Sequence, residues 1–285
     1  MESLWSDAWA RFRRNRLAAG SLAVVVGLIV VAVLAPLLQY FGLIPGPTAQ
    51  DVANSYQGPA IGRHLLGTDN LGRDLLAKVV FGAQVSLAIG ILVQAIVLVV
   101  GGTIGLVAGY FGGWVDNALM RFTDVTYAFP DLLFVLIIVA ALGPTFLNIF
   151  LAIGLVSWVG LARLVRGQVL SIKEKEYVEA ARAAGTSPVN VILRHLVPNS
   201  LGPVIVTLTF GIPAAIFTEA VLDFLGVGLR PPQPSWGVMV FEGYAAVDAY
   251  PFVVIIPCIA LSVTMLAFNF IGDGLRDALD PRMRN

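Results

Sequence analysis

Lys173 to Asn199 reads KEKEYVEAARAAGTSPVNVILRHLVPN, and its place between two long apolar runs decides how the chain is organised. It is too polar to cross a bilayer and too rich in helix signals to be a linker. Glu, Lys, Arg and Ala are good helix formers, so the stretch predicts a first helix from near Ser171 to Ala184, ended at Gly185, a residue free to turn left-handed. Thr186 or Ser187 can cap a second helix and Pro188 fits its first turn. Val189, Ile192 and Leu196 then recur along one face until Pro198 closes it. The expected product is a helical elbow on an aqueous surface. Ala180, Ala181, Ala183 and Ala184 give it low relief beside the Glu179 carboxylate, a surface suited to docking by another protein. Taken alone, Glu179 reads equally well as a solvated surface carboxylate.

Outward from the elbow the chain turns apolar in both directions. Hydrophobic residues make up 58% of the sequence and charged ones 13%, with a mean hydropathy of +0.84; soluble domains run near 45–50% and about 25%. A bilayer-crossing helix needs roughly 20 apolar residues. Leu17 to Leu38 meets that, and it is too long for a signal-peptide core and lacks an A-x-A cleavage site. Further runs fall at 83–108, 119–142, 147–166, 200–222 and 251–271, which predicts an all-α, polytopic membrane protein with six spans. The third run is the weakest, because Arg121, Asp124 and Asp131 occupy its first half and Pro130 interrupts it.

The formal net charge is zero, but its distribution is lopsided. With an internal N-terminus, the inside segments hold Arg11, Arg13, Arg14, Arg16, Arg121, Arg163, Arg166, Lys173, Lys175, Arg182, Arg194, Arg276, Arg282 and Arg284. The outside segments hold Arg63, Arg73, Lys78 and Arg230. Fourteen against four predicts both termini in the cytoplasm. The expected layout is a cytoplasmic segment 1–16, a first span 17–38, an extracytoplasmic segment 39–82, a core of five spans over 83–272 carrying the loop 171–199, and a cytoplasmic tail 273–285.

Gly101, Gly105 and Gly109 recur every four residues in the second run, a smooth strip for close approach of another helix. Pro213 and Pro257 allow kinks in the fifth and sixth. The lone Cys258 lies in an apolar run and reads as a packing residue. His64 and His195 are far apart without HExxH spacing, so neither a disulfide nor a metal centre is expected. Asp131 and Glu219 are ionisable groups inside spans, which are costly and often functional. They read either as pathway residues or as groups paired at interfacial depth, and Asn269 and Asp273 near the inner end of the last span read in the same two ways.

Glu179-Ala180-Ala181, then Gly185 and Pro198, resemble the EAA loop of ABC-importer permeases, although His195 and Val197 stand where that pattern usually has Ile and Leu. LGTDNLGRDLL (Leu66–Leu76), AGYFGGWVDNALMRFTD (Ala108–Asp124), SWVGLARLVRGQVLS (Ser157–Ser171), DFLGVGLRPPQPSWG (Asp223–Gly237) and AFNFIGDGLRDALDP (Ala267–Pro281) are similar to the dipeptide/oligopeptide/nickel permease family, in its C-type subunit.

That resemblance implies the type I ABC importer transmembrane fold. Glu179, Ala180, Ala181, Gly185 and Pro198 would form a cytoplasmic coupling helix seated in a separate ATPase. Its partners would be a second permease, two ATPase subunits or domains, an extracytoplasmic solute-binding protein and the lipid bilayer of a bacterial or archaeal plasma membrane, with no nucleic acid. The cargo implied is di- or oligopeptides or related small solutes, with nickel, glutathione or another non-peptide solute as the alternative.

No GxxxxGK[ST] loop occurs, so no phosphate cradle is expected in this chain. ATP and Mg would be held by the partner ATPases. The outer turn Asp223–Tyr250, stiffened by Pro231, Pro232 and Pro234, and the segment Gln39–Lys78 would receive the binding protein, with Asp223, Arg230 and Trp236 as candidate contacts; Trp236 reads equally as an interfacial anchor. A secondary transporter would need midplane ion sites and usually an inverted repeat, and no repeat is evident. No catalytic constellation points to a membrane enzyme.

Overall fold

Asp74 opens the longest helix of the chain by accepting a hydrogen bond from Ala77 N at 2.8 Å, the N-cap arrangement that satisfies an otherwise orphaned amide. The computed structural model describes residues 4–60 and 64–279. Arg63, Arg282, Arg284 and Pro281, used in the charge count and the last resembling stretch, lie outside the described residues, as does the end of the predicted tail 273–285. In chain order the helices are α1 (Leu4–Arg14), α2 (Arg16–Tyr40), α3 (Leu75–Phe111), α4 (Gly113–Tyr127), α5 (Asp131–Leu142), α6 (Phe146–Lys173), α7 (Glu176–Ala183), α8 (Pro188–Val191), α9 (Val197–Phe224), α10 (Trp236–Tyr244) and α11 (Phe252–Leu279). Among the described residues no strand forms beyond one isolated bridge between Thr68 and Asp74.

Five of these helices, α2, α3, α6, the run from α8 into α9, and α11, are long and apolar enough to cross a bilayer. α4 and α5 pass that test only when taken together, and they correct the expectation of one continuous run over 119–142. The two helices meet at 81°. Pro130 lacks an amide proton and pushes the residue before it out of the helical region, so Ala128–Pro130 breaks the span. α3 begins at Leu75, inside the stretch 39–82 read as lying before the second span, and carries Lys78 in its first turns.

The centre of the fold is α3 against α6, and the glycine strip explains their closeness. A Cβ added at Gly101 would stand 2.6 Å from the carbonyl oxygen of Trp158, one at Gly105 would stand 2.5 Å from that of Ala162, and one at Gly109 would stand 2.8 Å from Val169 Cβ. Side chains on this strip would push the helices apart. Val93, Val97, Ile149, Ile153, Leu161 and Val165 fill the remaining space. α9 and α11 pack on one another beside this pair, while α2 rests against α11 and α3. Much of α2 faces outward, with Val26, Val30 and Val33 exposed, as expected where lipid is the solvent.

Candidate functional site: the elbow and the faces around it

The elbow forms with different seams from those predicted. Ser171 to Lys173 belong to α6, and the chain breaks at Glu174–Lys175 before α7. Gly185 takes φ +79. Thr186 N donates to Ala181 O at 3.1 Å and Gly185 N to Arg182 O at 2.9 Å, the paired closure of a left-handed helix terminus. No atom crowds a Cβ placed there, so glycine is needed for its backbone conformation and not for space.

Ser187 caps α8, accepting from Asn190 N at 3.4 Å, and Pro188 occupies the first turn as predicted. Pro198 does not close the second helix. The chain widens into a π-turn over Ile192–Leu196, with Val197 N reaching back to Ile192 O, and continues through Pro198 into α9. The wider ring lets the helix pass a residue that cannot donate. Asn199 Nδ2 donates to His195 O at 2.6 Å, and Ser200 Oγ donates to Leu196 O at 2.9 Å, so side chains take up nearby carbonyls.

The buried stripe differs too. Val178, Val191 and Leu196 are fully buried, whereas Val189 is 62% exposed and Leu193 59%. Glu179, Ala180 and Gly185 are exposed and Ala181 half-buried. Glu179 enters no ion pair among the described residues. A carboxylate, small residues and bare aliphatic side chains are therefore all exposed along the elbow. The elbow is held from behind by Lys173 Nζ donating to Gly109 O at 2.9 Å and by the Arg182 guanidinium lying 5.2 Å from the Tyr110 ring centre. Both contacts reach the end of α3.

Charged residues of the broken span tie it to α6, a role that sequence reasoning missed. Asp116 receives both arms of Arg166, at 2.5 and 2.6 Å, and Asp124 receives Arg163 at 2.8 Å. Arg163 also lies 4.5 Å from the centre of the Tyr127 ring. The signal available in the sequence was two acids and two arginines near the inner ends of neighbouring apolar runs. Asp131 is exposed in the first turn of α5, and Asn269 is half-buried on α11. Glu219, read either as a pathway residue or as a group paired with a neighbouring helix, is 0% exposed inside the subunit, where it accepts from Ser86 Oγ of α3 at 3.2 Å.

The outer candidates also divide. Arg230 is exposed, but Asp223 and Trp236, expected as docking contacts, are 1% and 0% exposed. Asp223 folds the turn around itself, accepting from Leu229 N at 2.6 Å and from Ser235 Oγ, while Ser235 Oγ caps α10 at Val238 N. Trp236 Nε1 donates to Val79 O at 3.0 Å. These residues hold the turn to α3 and have no free surface to offer.

Beneath the turn lies a buried ion network. Asp69 binds Arg73 Nε and Lys78 Nζ, each at 2.7 Å, and Glu242 of α10 binds Arg73 at 2.8 Å and Lys78 at 2.6 Å. Burial by itself raises the Asp69 pKa, but Lys78, the Leu71 amide and Arg73 outweigh it and hold the carboxyl below its ordinary value. Burial likewise opposes the charge on Arg73, and Glu242 and Asp69 more than restore it. His64 Nδ1 lies 2.8 Å from Asp74 Oδ2, at the base of the same loop.

Residues 101–285 match the family described as binding-protein-dependent transport system inner membrane component, and residues 3–59 match the N-terminal TM domain of oligopeptide transport permease C. The chain is 43% identical over 283 residues to the oligopeptide transport system permease protein OppC of Escherichia coli K12, covering 99% of this chain and 92% of that protein. It is 39% identical over 283 residues to the dipeptide transport system permease protein DppC of Alkalihalophilus pseudofirmus, covering 99% and 91%. It is 40% identical over 280 residues to the glutathione transport system permease protein GsiD of an Escherichia coli O6 strain, covering 98% and 91%. With five or six apolar spans and matches along nearly its whole length, this chain belongs to the binding-protein-dependent ABC importer permeases, in the oligopeptide permease C branch.

Proposed function

We propose that this permease forms half of a translocation pathway for peptides and couples it, through the elbow of α7 and α8, to an ATPase that is a separate polypeptide. The observation that carries the reading is the elbow's outer surface. The Glu179 carboxylate, without an ion-pair partner among the described residues, the low relief at Ala180 and the exposed Val189 and Leu193 all belong to an elbow whose own anchors are buried. A surface of bare aliphatic side chains around one charge is what a docking face requires.

On this reading ATP and Mg sit on the partner ATPases, in keeping with a sequence that has no phosphate-binding loop. Their closure moves the elbow, and Lys173 and Arg182 pass the movement to α3. A second permease completes the pathway. Asp131 and the Asp124–Arg163 pair are the charges best placed to face it, since ionisable groups avoid lipid. The excess of Lys and Arg on the elbow side supports the reading that both termini are cytoplasmic. An extracytoplasmic binding protein docks on the opposite side, where Arg230 is exposed.

Peptide is favoured over nickel as cargo. Oligopeptides, dipeptides and glutathione, the solutes named for the relatives, share a peptide backbone.

The test is Glu179→Lys in the assembled importer reconstituted in vesicles. Substrate-stimulated ATP hydrolysis and peptide uptake are expected to fall by at least tenfold, with membrane insertion and complex assembly unchanged. Uptake at the unmodified rate would refute the coupling role.

A further inference from the structure

The N-terminal helix places a basic, aromatic surface beside the first span. α1 carries Arg11, Arg13 and Arg14, and Arg16 opens α2 directly after the Asn15 cap, whose Oδ1 accepts from Ala18 N at 3.2 Å. Ala8 and Phe12, one turn apart and 7% and 2% exposed, dock α1 on the body of the protein. There Gly274 of α11 comes so close that a Cβ on it would strike Ala18 Cβ and stand 3.1 Å from the Phe12 ring. The helix is therefore fixed in orientation and does not hang free.

At 100° per residue, Trp9 and Arg13 lie together on one flank of that buried stripe. Trp9 is 51% exposed and stacks on Phe12 with ring centres 5.7 Å apart. Arg13, Arg14 and Arg16 are exposed and enter no ion pair among the described residues. Arg11, on the opposite flank of the stripe, donates from Nε to the Asp7 carbonyl at 3.4 Å, and among the described residues its Nη1 is buried without an acceptor. A buried guanidinium N–H left unpaired is costly.

The neighbouring surface identifies what the exposed arginines face. Beginning at Leu17, which is 65% exposed, α2 presents bare Val24, Val26, Val30 and Val31. The basic patch thus sits where an apolar, lipid-facing surface ends, the depth at which headgroups lie. Indole beside arginine is the residue pair expected at that boundary.

We propose that α1 and the first turn of α2 bind anionic phospholipid headgroups, with phosphate oxygens accepting from Arg13 and Arg16 and Trp9 seated at the edge of the acyl region. The inference needs only that the chain spans a membrane, and it stands whether or not the elbow couples to an ATPase.

The test uses the full-length chain in neutral detergent, with retention of phosphatidylglycerol and phosphatidylcholine compared by native mass spectrometry. The wild type is expected to retain phosphatidylglycerol in preference. R13Q/R16Q loses that preference by about fivefold per arginine with an unchanged melting temperature, and R230Q, remote in sequence and on the outer turn, keeps it. R13Q alone, expected to show half of the effect on a logarithmic scale, serves if the double variant does not fold. Equal retention of the two lipids by the wild type, or an unaltered preference in folded R13Q/R16Q, overturns the proposal. So does displacement of the lipid by polyglutamate at equal charge concentration, which would assign the surface to an acidic protein.

Discussion

The outer turn and the inner elbow are both short polar excursions between spans, yet they treat charge in opposite ways. The outer turn folds onto three buried charges, Asp69, Arg73 and Lys78, which the half-buried Glu242 completes, and onto Asp223, whose oxygens are taken up by Ser235 and the Leu229 amide. The elbow buries only Val178, Val191 and Leu196 and leaves Glu179, Val189 and Leu193 in the open. Polar groups that are complete within the chain make a rigid cover; groups left incomplete are available to another molecule. The contrast teaches that the densest clusters of charge in this subunit are structural, while the sparsely held loop is the one shaped for contact.

The contrast breaks most readily at Lys78. Lys78→Met leaves Asp69 and Glu242 sharing one buried cation, and loss of one partner from a buried pair costs about 3–5 kcal/mol. The expected outcome, read by thermal unfolding in detergent, is a large drop in melting temperature. The same network is expected to weaken in acid. Because the folded-state pKa of Asp69 lies below its ordinary value of 3.8, its contribution is complete above that value and is lost as pH falls through the lowered one. Melting temperature followed from pH 7 downward should hold until about pH 4 and then decline, and in Asp69→Asn this part of the decline should be absent.

A smaller effect is expected between the two regions, at the helix contact both depend on. Gly105→Val places side-chain atoms against Ala162 O and Val165, and overpacking of this kind costs about 1–3 kcal/mol. The smallest belongs to the elbow. Leu193→Ser and Glu179→Gln remove exposed groups and are expected to change unfolding free energy by no more than about 0.5 kcal/mol, while each lowers ATP hydrolysis by the assembled importer. A large loss of stability in either variant would mean that the elbow is a structural element like the outer turn.

The helical class, the number of spans and the elbow's position were legible because each rests on a local property of the chain. Apolar length defines a span, Ser187 and Pro188 start a helix, and Gly185 ends one wherever they stand. The glycine strip at Gly101, Gly105 and Gly109 was legible for the same reason, since its period alone puts it on one face. Pro198 was read as a stop, and the structure carries the helix past it by a π-turn, a choice made by side chains and packing around the proline and not by the proline itself. The third span was read as one run where the structure bends by 81°, because hydropathy measures length and not direction.

What the sequence by itself determined is a membrane-embedded, all-α chain with one polar elbow, because burial in lipid and helix capping act over a few residues. What only the tertiary structure decided is which polar residues are spent inside. Asp223, Glu219 and Trp236 looked available and are buried, while Lys78 and Glu242, 164 residues apart, meet in one ion pair. Partnership over that distance depends on how α3 and α10 come together, and no local pattern encodes it.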